Sequence, residues 1–201
     1  MLNNQSGALF GLDARIALAI FSVLSVVAGV AVVTNIDSTR AQVLGSELTD
    51  TAQALESYHH DLKTDIFLSL STPSGKNAFQ ALYDNAVITD SDLSGANLRA
   101  RWNGPYIKFT TNQNSRYGEM YLTKAGASHA QTCSPEDICY LYLVYTRVKE
   151  NIALEANKLL DGDAERNPGV EGRLQWSPGD TNNTVMMHFR AHRALSQTMD
   201  Y

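Results

Sequence analysis

The chain has 201 residues, a formal net charge of −5 and a sequence pI of about 5.5. This length allows one globular domain of ordinary size together with an additional segment. The acidic balance argues against the broad basic surface with which proteins bind nucleic acid, so no nucleic acid is expected among the partners.

The N-terminal region is polar for a few residues and then strongly apolar. Asp13 and Arg15 precede an uncharged stretch from Ile16 to Ile36. About 20 apolar residues can cross a bilayer as one helix, so we expect a transmembrane half-helix here. The helix dipole favours Asp13 in the first turn, and Arg15 can extend to a lipid headgroup. A secretory signal cleaved after Ala31 is the alternative, but signal cores are shorter, about 7–15 residues.

The apolar stretch continues without a proline into an amphipathic segment. Its apolar residues recur at intervals of three and four, which predicts a helix with one buried face over residues 37–70. The positions of this stripe are Ala41, Leu44, Leu48, Ala52, Leu55, Leu62 and Ile66, with His59 in the one gap. The stripe requires a cover, which we expect from the region that follows.

The remaining residues, 71–201, have the pattern of a small α+β domain with an antiparallel sheet. Alternating or aromatic-rich runs between turn residues predict strands, and apolar residues at helical spacing predict helices. The predicted strands are Tyr106–Thr110, Tyr117–Leu122, Ile138–Thr146, Gly172–Trp176 and Thr184–Phe189. The predicted helices are Asn77–Asn85, Ser91–Arg99 and Val148–Leu160.

The chain contains two cysteines, Cys133 and Cys139, on either side of a short polar loop. Nearby cysteines usually form a disulfide in an oxidising compartment, and closing this loop contributes about 2 kcal/mol. Two free buried thiols in a cytosolic domain are the alternative. With an anchor expected in front of the domain, the disulfide is the favoured interpretation.

Several segments together resemble the type IV pilin family, including the pseudopilins of type II secretion. Thr39-Arg40-Ala41-Gln42 lies near the start of the amphipathic half. Trp102-Asn103-Gly104-Pro105-Tyr106 is similar to the element through which major pseudopilins enter their sheet. Asp161-Gly162-Asp163, followed by Gly172-Arg173, resembles the loop before a late strand in pilin-like domains. The resemblance covers essentially the full chain.

This resemblance implies a pilin-like fold of four parts. They are a leader (1–11), a transmembrane half-helix (12–36), an amphipathic half-helix (37–70) and a globular region with an antiparallel sheet (71–201). It also implies cleavage between Gly11 and Leu12, or as second choice between Gly7 and Ala8, by a prepilin peptidase.

The same resemblance implies a localisation and a set of partners. The subunit would cross the inner membrane once, in contact with lipid and an inner-membrane assembly platform, with its C-terminal domain outside the cytoplasm. It would then join homo- or hetero-oligomeric filament subunits at the cell surface or in the periplasm. Asp13 and Arg15 are the candidate assembly residues.

The chain departs from the family at the fifth mature position, and its leader lacks the usual basic residues. Family members usually carry a glutamate at the fifth mature position, and cleavage after Gly11 places Ile16 there. This departure favours a minor or divergent subunit. A single-pass anchored, extracytoplasmic binding domain that does not polymerise is the alternative function.

No enzymatic activity and no required cofactor are expected. His59 and His60 are adjacent on the long helix, and a strand assignment for His188 separates it from His192, so no zinc site is predicted. Calcium is the one cation that the sequence leaves open. The carboxylates concerned are Asp161, Asp163 and Glu165, which lack the complete pattern of a calcium-binding loop.

Overall fold

The computed structural model describes residues 6–90, 97–134, 137–179 and 183–194, with the side chains of residues 6–13 and 30–35 outside this description. The chain divides into two units, residues 1–40 and residues 41–201. One helix, α1 (Ser6–Leu62), contributes residues to both units.

The membrane-spanning part of the predicted fold class is wrong. A transmembrane helix needs about 20 consecutive, predominantly apolar residues. Among the residues whose side chains the structure describes, no helix combines the necessary length with the necessary apolar character. This finding contradicts two predictions. They are the transmembrane half-helix over residues 12–36 and the single-pass placement in the inner membrane.

The second unit is an α+β domain with five strands in one antiparallel sheet. After α1 its helices are α2 (Gly75–Gln80), α3 (Leu98–Arg101) and α4 (Glu150–Leu160). Its strands are β1 (Gln113–Asn114), β2 (Gly118–Ala125), β3 (Tyr140–Lys149), β4 (Leu174–Pro178) and β5 (Thr184–Arg193). The strand order is β1-β2-β3-β5-β4, so the longest strands lie at the centre.

Residues 41–62 of α1, the part within the second unit, cover one face of this sheet, which we call the helix face. On β3, Leu143 pairs with Leu122 of β2 and Phe189 of β5, and all three side chains belong to the main core. The apolar stripe of α1 contributes to the same core. Its fully buried members are Ala41, Leu44, Leu48, Leu55 and Leu62.

The opposite face of the sheet, the outer face, is partly covered by the segment of residues 126–131, which we call the strap. Side chains alternate between faces along a strand, so the neighbours of Leu143 on β3 point outward. These neighbours are Tyr142 and Val144, and both are buried. The Tyr142 hydroxyl donates its one hydrogen in a bond shared by the carbonyl oxygens of Gly126 and Ala127, at 3.0 and 2.9 Å.

The predicted strand Tyr106–Thr110 is not a strand. Residues 106–109 instead line a groove beside the second unit's portion of α1. The Tyr106 amide donates to the carbonyl of Leu82, which follows α2, at 2.8 Å. The Tyr106 hydroxyl donates to Asp61 on α1 at 2.8 Å. These tertiary contacts replace the ladder that the alternating pattern predicts. Of the predicted helix Ser91–Arg99, the first six residues lie outside the described ranges.

The disulfide between Cys133 and Cys139 is confirmed. The Cα atoms are 5.6 Å apart, and both side chains are buried. The Cys139 carbonyl accepts a hydrogen bond from the Ala194 amide at 2.9 Å, so the bridged loop is attached to the end of β5.

Candidate functional site

The first unit presents a surface of large apolar side chains, which we call the apolar helix surface. Each of its eight members is between 51% and 69% exposed. They are Ile16, Leu18, Ile20, Phe21, Val23, Leu24, Val26 and Val27. Successive residues of a helix are about 100° apart, so these positions surround the helix instead of forming one stripe. A helix that is apolar on all sides is normally buried, so that its apolar side chains are not exposed to water.

Small residues separate the large ones on this surface. They are Ala17, Ala19, Ser22, Ser25, Ala28 and Gly29. The Ser22 hydroxyl donates to the Leu18 carbonyl at 2.7 Å, so its polar atom is satisfied within the helix. A Cβ atom added at Gly29 would have no neighbouring side chain or loop atom within 4 Å. Small side chains of this kind let another helix approach closely.

The predicted assembly and cleavage residues lie around the start of this surface. Arg15 is exposed immediately before it. Asp13 and the two candidate cleavage positions lie in α1, but their side chains are outside the described part of the chain. At the other end, Arg40 forms an ion pair with Asp37 at 3.4 Å. Charged groups therefore flank the apolar helix surface.

A polar contact joins α1 to the sheet within the second unit. The Tyr145 hydroxyl on β3 donates to Glu47 on α1 at 2.6 Å, and burial raises the pKa of Glu47. Glu47 also lines a groove, with a cavity volume of about 620 Å³, between α1 and residues 106–109. Apolar side chains, Val43 and Ile107 among them, line the same groove. The contact positions the helix, since a hydroxyl donating to a carboxylate stabilises one docking geometry.

Two of the three carboxylates considered for calcium, Asp161 and Glu165, are hydrogen-bonded within the protein. Asp161 accepts hydrogen bonds from the Arg173 and Leu174 amides at 2.8–3.0 Å. The Asn157 side chain bridges Asp161 and Glu165, at 3.2 and 2.8 Å. Burial, together with the charges of Asp161 and of Glu171, raises the pKa of Glu165.

Asp163 is exposed and forms no part of this network. Within the described ranges, no group of three or more histidine, cysteine, aspartate or glutamate residues is arranged to hold a metal ion. The sequence prediction is that no cofactor is required, and calcium at this loop stays the untested alternative.

The histidines form two pairs that the sequence did not indicate. A register shift in the β3–β5 ladder pairs Tyr142 with Arg190 but Leu141 with His192, so Ala191 is an extra residue. His192 consequently points to the helix face, where its ring lies 5.1 Å from that of His59. His188 points to the outer face and stacks on His129, with ring centroids 4.1 Å apart.

Comparison with protein-family models, with curated proteins and with solved structures gives no match for this chain. A functional conclusion therefore rests on the sequence and on the geometry described above. Of that geometry, the apolar helix surface is the feature that most requires an explanation, because monomeric proteins rarely expose contiguous apolar patches of this extent.

Proposed function

We propose that this protein is a structural subunit of a helical filament of the type IV pilus-like or type II secretion kind. Copies of the chain, or closely related subunits, would assemble through the apolar helix surface. The subunit has no catalytic role of its own in this proposal. The observation that carries it is the exposure of eight large apolar side chains around one helix.

The size of this surface favours many neighbours over a single partner. Covering a side chain that is already about half buried contributes roughly 1 kcal/mol, so the eight together contribute about 8 kcal/mol. Association costs about 4–15 kcal/mol in lost translational and rotational freedom. A simple dimer covers only one side of each helix and leaves the apolar side chains on the other sides of both helices in water. A bundle of helices covers all sides, which is the arrangement of a filament core.

Two features of the sequence support the same arrangement. The small residues between the large ones allow the close helix contacts that a bundle requires. The candidate processing sites, between Gly11 and Leu12 or between Gly7 and Ala8, precede the surface. Cleavage there by a prepilin peptidase would leave the apolar helix surface at the start of the mature chain.

Cross-linking through a new cysteine tests this proposal. The native cysteines form a disulfide, so Ala19→Cys adds the single thiol that can join two copies. We expect oxidation of the full-length variant to give covalent dimers in high yield, because bundled helices bring equivalent small positions together. Electrophoresis without reductant measures the yield.

Ala86→Cys is the matched control, since Ala86 is an exposed alanine of the second unit. It should give at most the low yield of random collisions. Equal yields from the two variants would contradict assembly through the helix.

A further inference from the structure

The strap of residues 126–131 is held on the outer face of the sheet mainly by polar contacts. Besides the bonds from Tyr142, the Arg190 guanidinium donates to the Ala127 carbonyl at 3.3 Å. The Gln175 side chain accepts from the His129 amide at 2.8 Å and contacts His129 Nδ1 at 3.0 Å. Since the Gln175 oxygen can only accept, Nδ1 of His129 carries the proton in this contact.

One contact between strap and sheet is a pair of stacked imidazoles. The ring planes of His129 and His188 differ by 18°, so the rings lie face to face. His188 is only 8% exposed, and neither of its ring nitrogens has a hydrogen-bond partner. A buried polar ring without partners is unusual, because most buried polar groups are hydrogen-bonded. The site tolerates a neutral His188 and offers no acceptor for a charged one.

We propose that the strap is an acid-released cover of the outer face, which opens when His188 takes up a proton. A cation at this position loses its hydration in the closed state and faces a second imidazole at 4.1 Å. Opening of the strap exposes His188 to water, where the charged ring is solvated. The proton therefore binds to the open state more strongly than to the closed one.

The groups that surround His188 in the closed state also disfavour its charged form. On the strap the facing titratable group is His129, and on β5 the nearest cation is Arg190, two residues away on the same face. On β3 the facing side chains are Val144 and the un-ionised hydroxyl of Tyr142, whose pKa burial raises. On β4 the facing side chain is the neutral amide of Gln175. No carboxylate in the described ranges forms an ion pair with either imidazole.

The direction of the effect follows from linkage. Burial, and then the proximity of His129, lowers the pKa of His188 to about 4 from its ordinary value of 6.5. Between those two values the open state binds more protons than the closed state, so acidification favours opening. At pH 5 the population of the open strap rises about 30-fold over its value at pH 7.5.

Hydrogen exchange of the full-length protein tests the proposal. The reporter is the amide of His129, whose hydrogen bond to the Gln175 side chain joins the strap to the sheet. After correction for intrinsic rates, its protection should fall about 30-fold between pH 7.5 and pH 5. His188→Phe keeps a stacked ring but cannot be protonated, so it should abolish this fall. His60→Phe removes an exposed histidine elsewhere and should leave the fall unchanged.

An NMR titration of the unmodified protein tests the same proposal without a substitution. The imidazole NMR signals of His188 in the unmodified protein should remain those of the neutral ring at pH 6. They should change together with the strap amides below that pH. Equal strap protection at pH 7.5 and pH 5, a persistent fall in His188→Phe, or titration of His188 near pH 6.5 without strap opening would each overturn it.

Discussion

Val23→Asp is expected to abolish assembly of the full-length chain. Val23 is 64% exposed on the apolar helix surface. Covering a carboxylate with other apolar helices, without a partner for its charge, costs several kcal/mol per copy. A cost of about 3 kcal/mol raises the concentration needed for assembly by more than about 100-fold. Light scattering over a concentration series measures that shift.

Val170→Asp is the matched control for this substitution. Val170 lies in the second unit and is 66% exposed, so the two variants make the same chemical change at equal accessibility. Val170→Asp should assemble like the unmodified chain. If both variants assemble normally, the apolar helix surface is not the contact between subunits.

Acidification is expected to destabilise the second unit between pH 6.5 and pH 4. Two buried histidines lack hydrogen-bond partners at both ring nitrogens, and the pKa values of His59 and His188 are lowered to about 4. For His59 the first cause is burial and the second is the proximity of His192. In the unfolded chain each imidazole binds a proton near pH 6.5, so the unfolded state binds more protons throughout this window.

The lowered pKa values of the two histidines give the direction and the size of the change in stability. The free energy of unfolding falls as the pH falls, by about 3 kcal/mol for each histidine at the acid end. Protonation of Glu47, whose pKa is raised, acts in the opposite direction and offsets part of this loss. Urea unfolding monitored at a series of pH values gives the profile.

His59→Leu isolates one contribution to that profile. His59 occupies a gap in the apolar stripe of α1 and is 6% exposed, so a leucine completes the stripe. We expect the variant to lose about 3 kcal/mol of the pH dependence while remaining at least as stable at pH 7. His60→Leu, at an exposed neighbour, should keep the full dependence. An unchanged profile in His59→Leu would show that this histidine is not charged on unfolding.

The regular parts of the fold were accessible from the sequence because their signals are local. The stripe of α1 repeats at helical spacing, and the run from Ile138 to Thr146 is rich in the aromatic and β-branched residues that favour strands. Tyr106–Thr110 has the alternation of a strand but forms none, because Tyr106 is held by Leu82 after α2 and by Asp61 on α1. These contacts are long-range and leave no mark in the local pattern.

The histidine pairs show a second limit of sequence reasoning. The strand assignment for His188 is confirmed, but His192 faces the helix only because Ala191 is inserted as a bulge. A one-residue insertion reverses the facing of every later side chain, and its position is set by the partner strand. The stack of His129 on His188 also depends on the strap, whose path no residue pattern indicates.

Assembly of this chain through its apolar helix surface determines the state of the full-length protein in solution. After removal of mild detergent, light scattering and negative-stain electron microscopy give the mass and the shape of the particles. We expect elongated particles of uniform width whose mass increases with protein concentration. A single species of 22.1 kDa, the mass of one chain, at every concentration would show that the chain does not assemble.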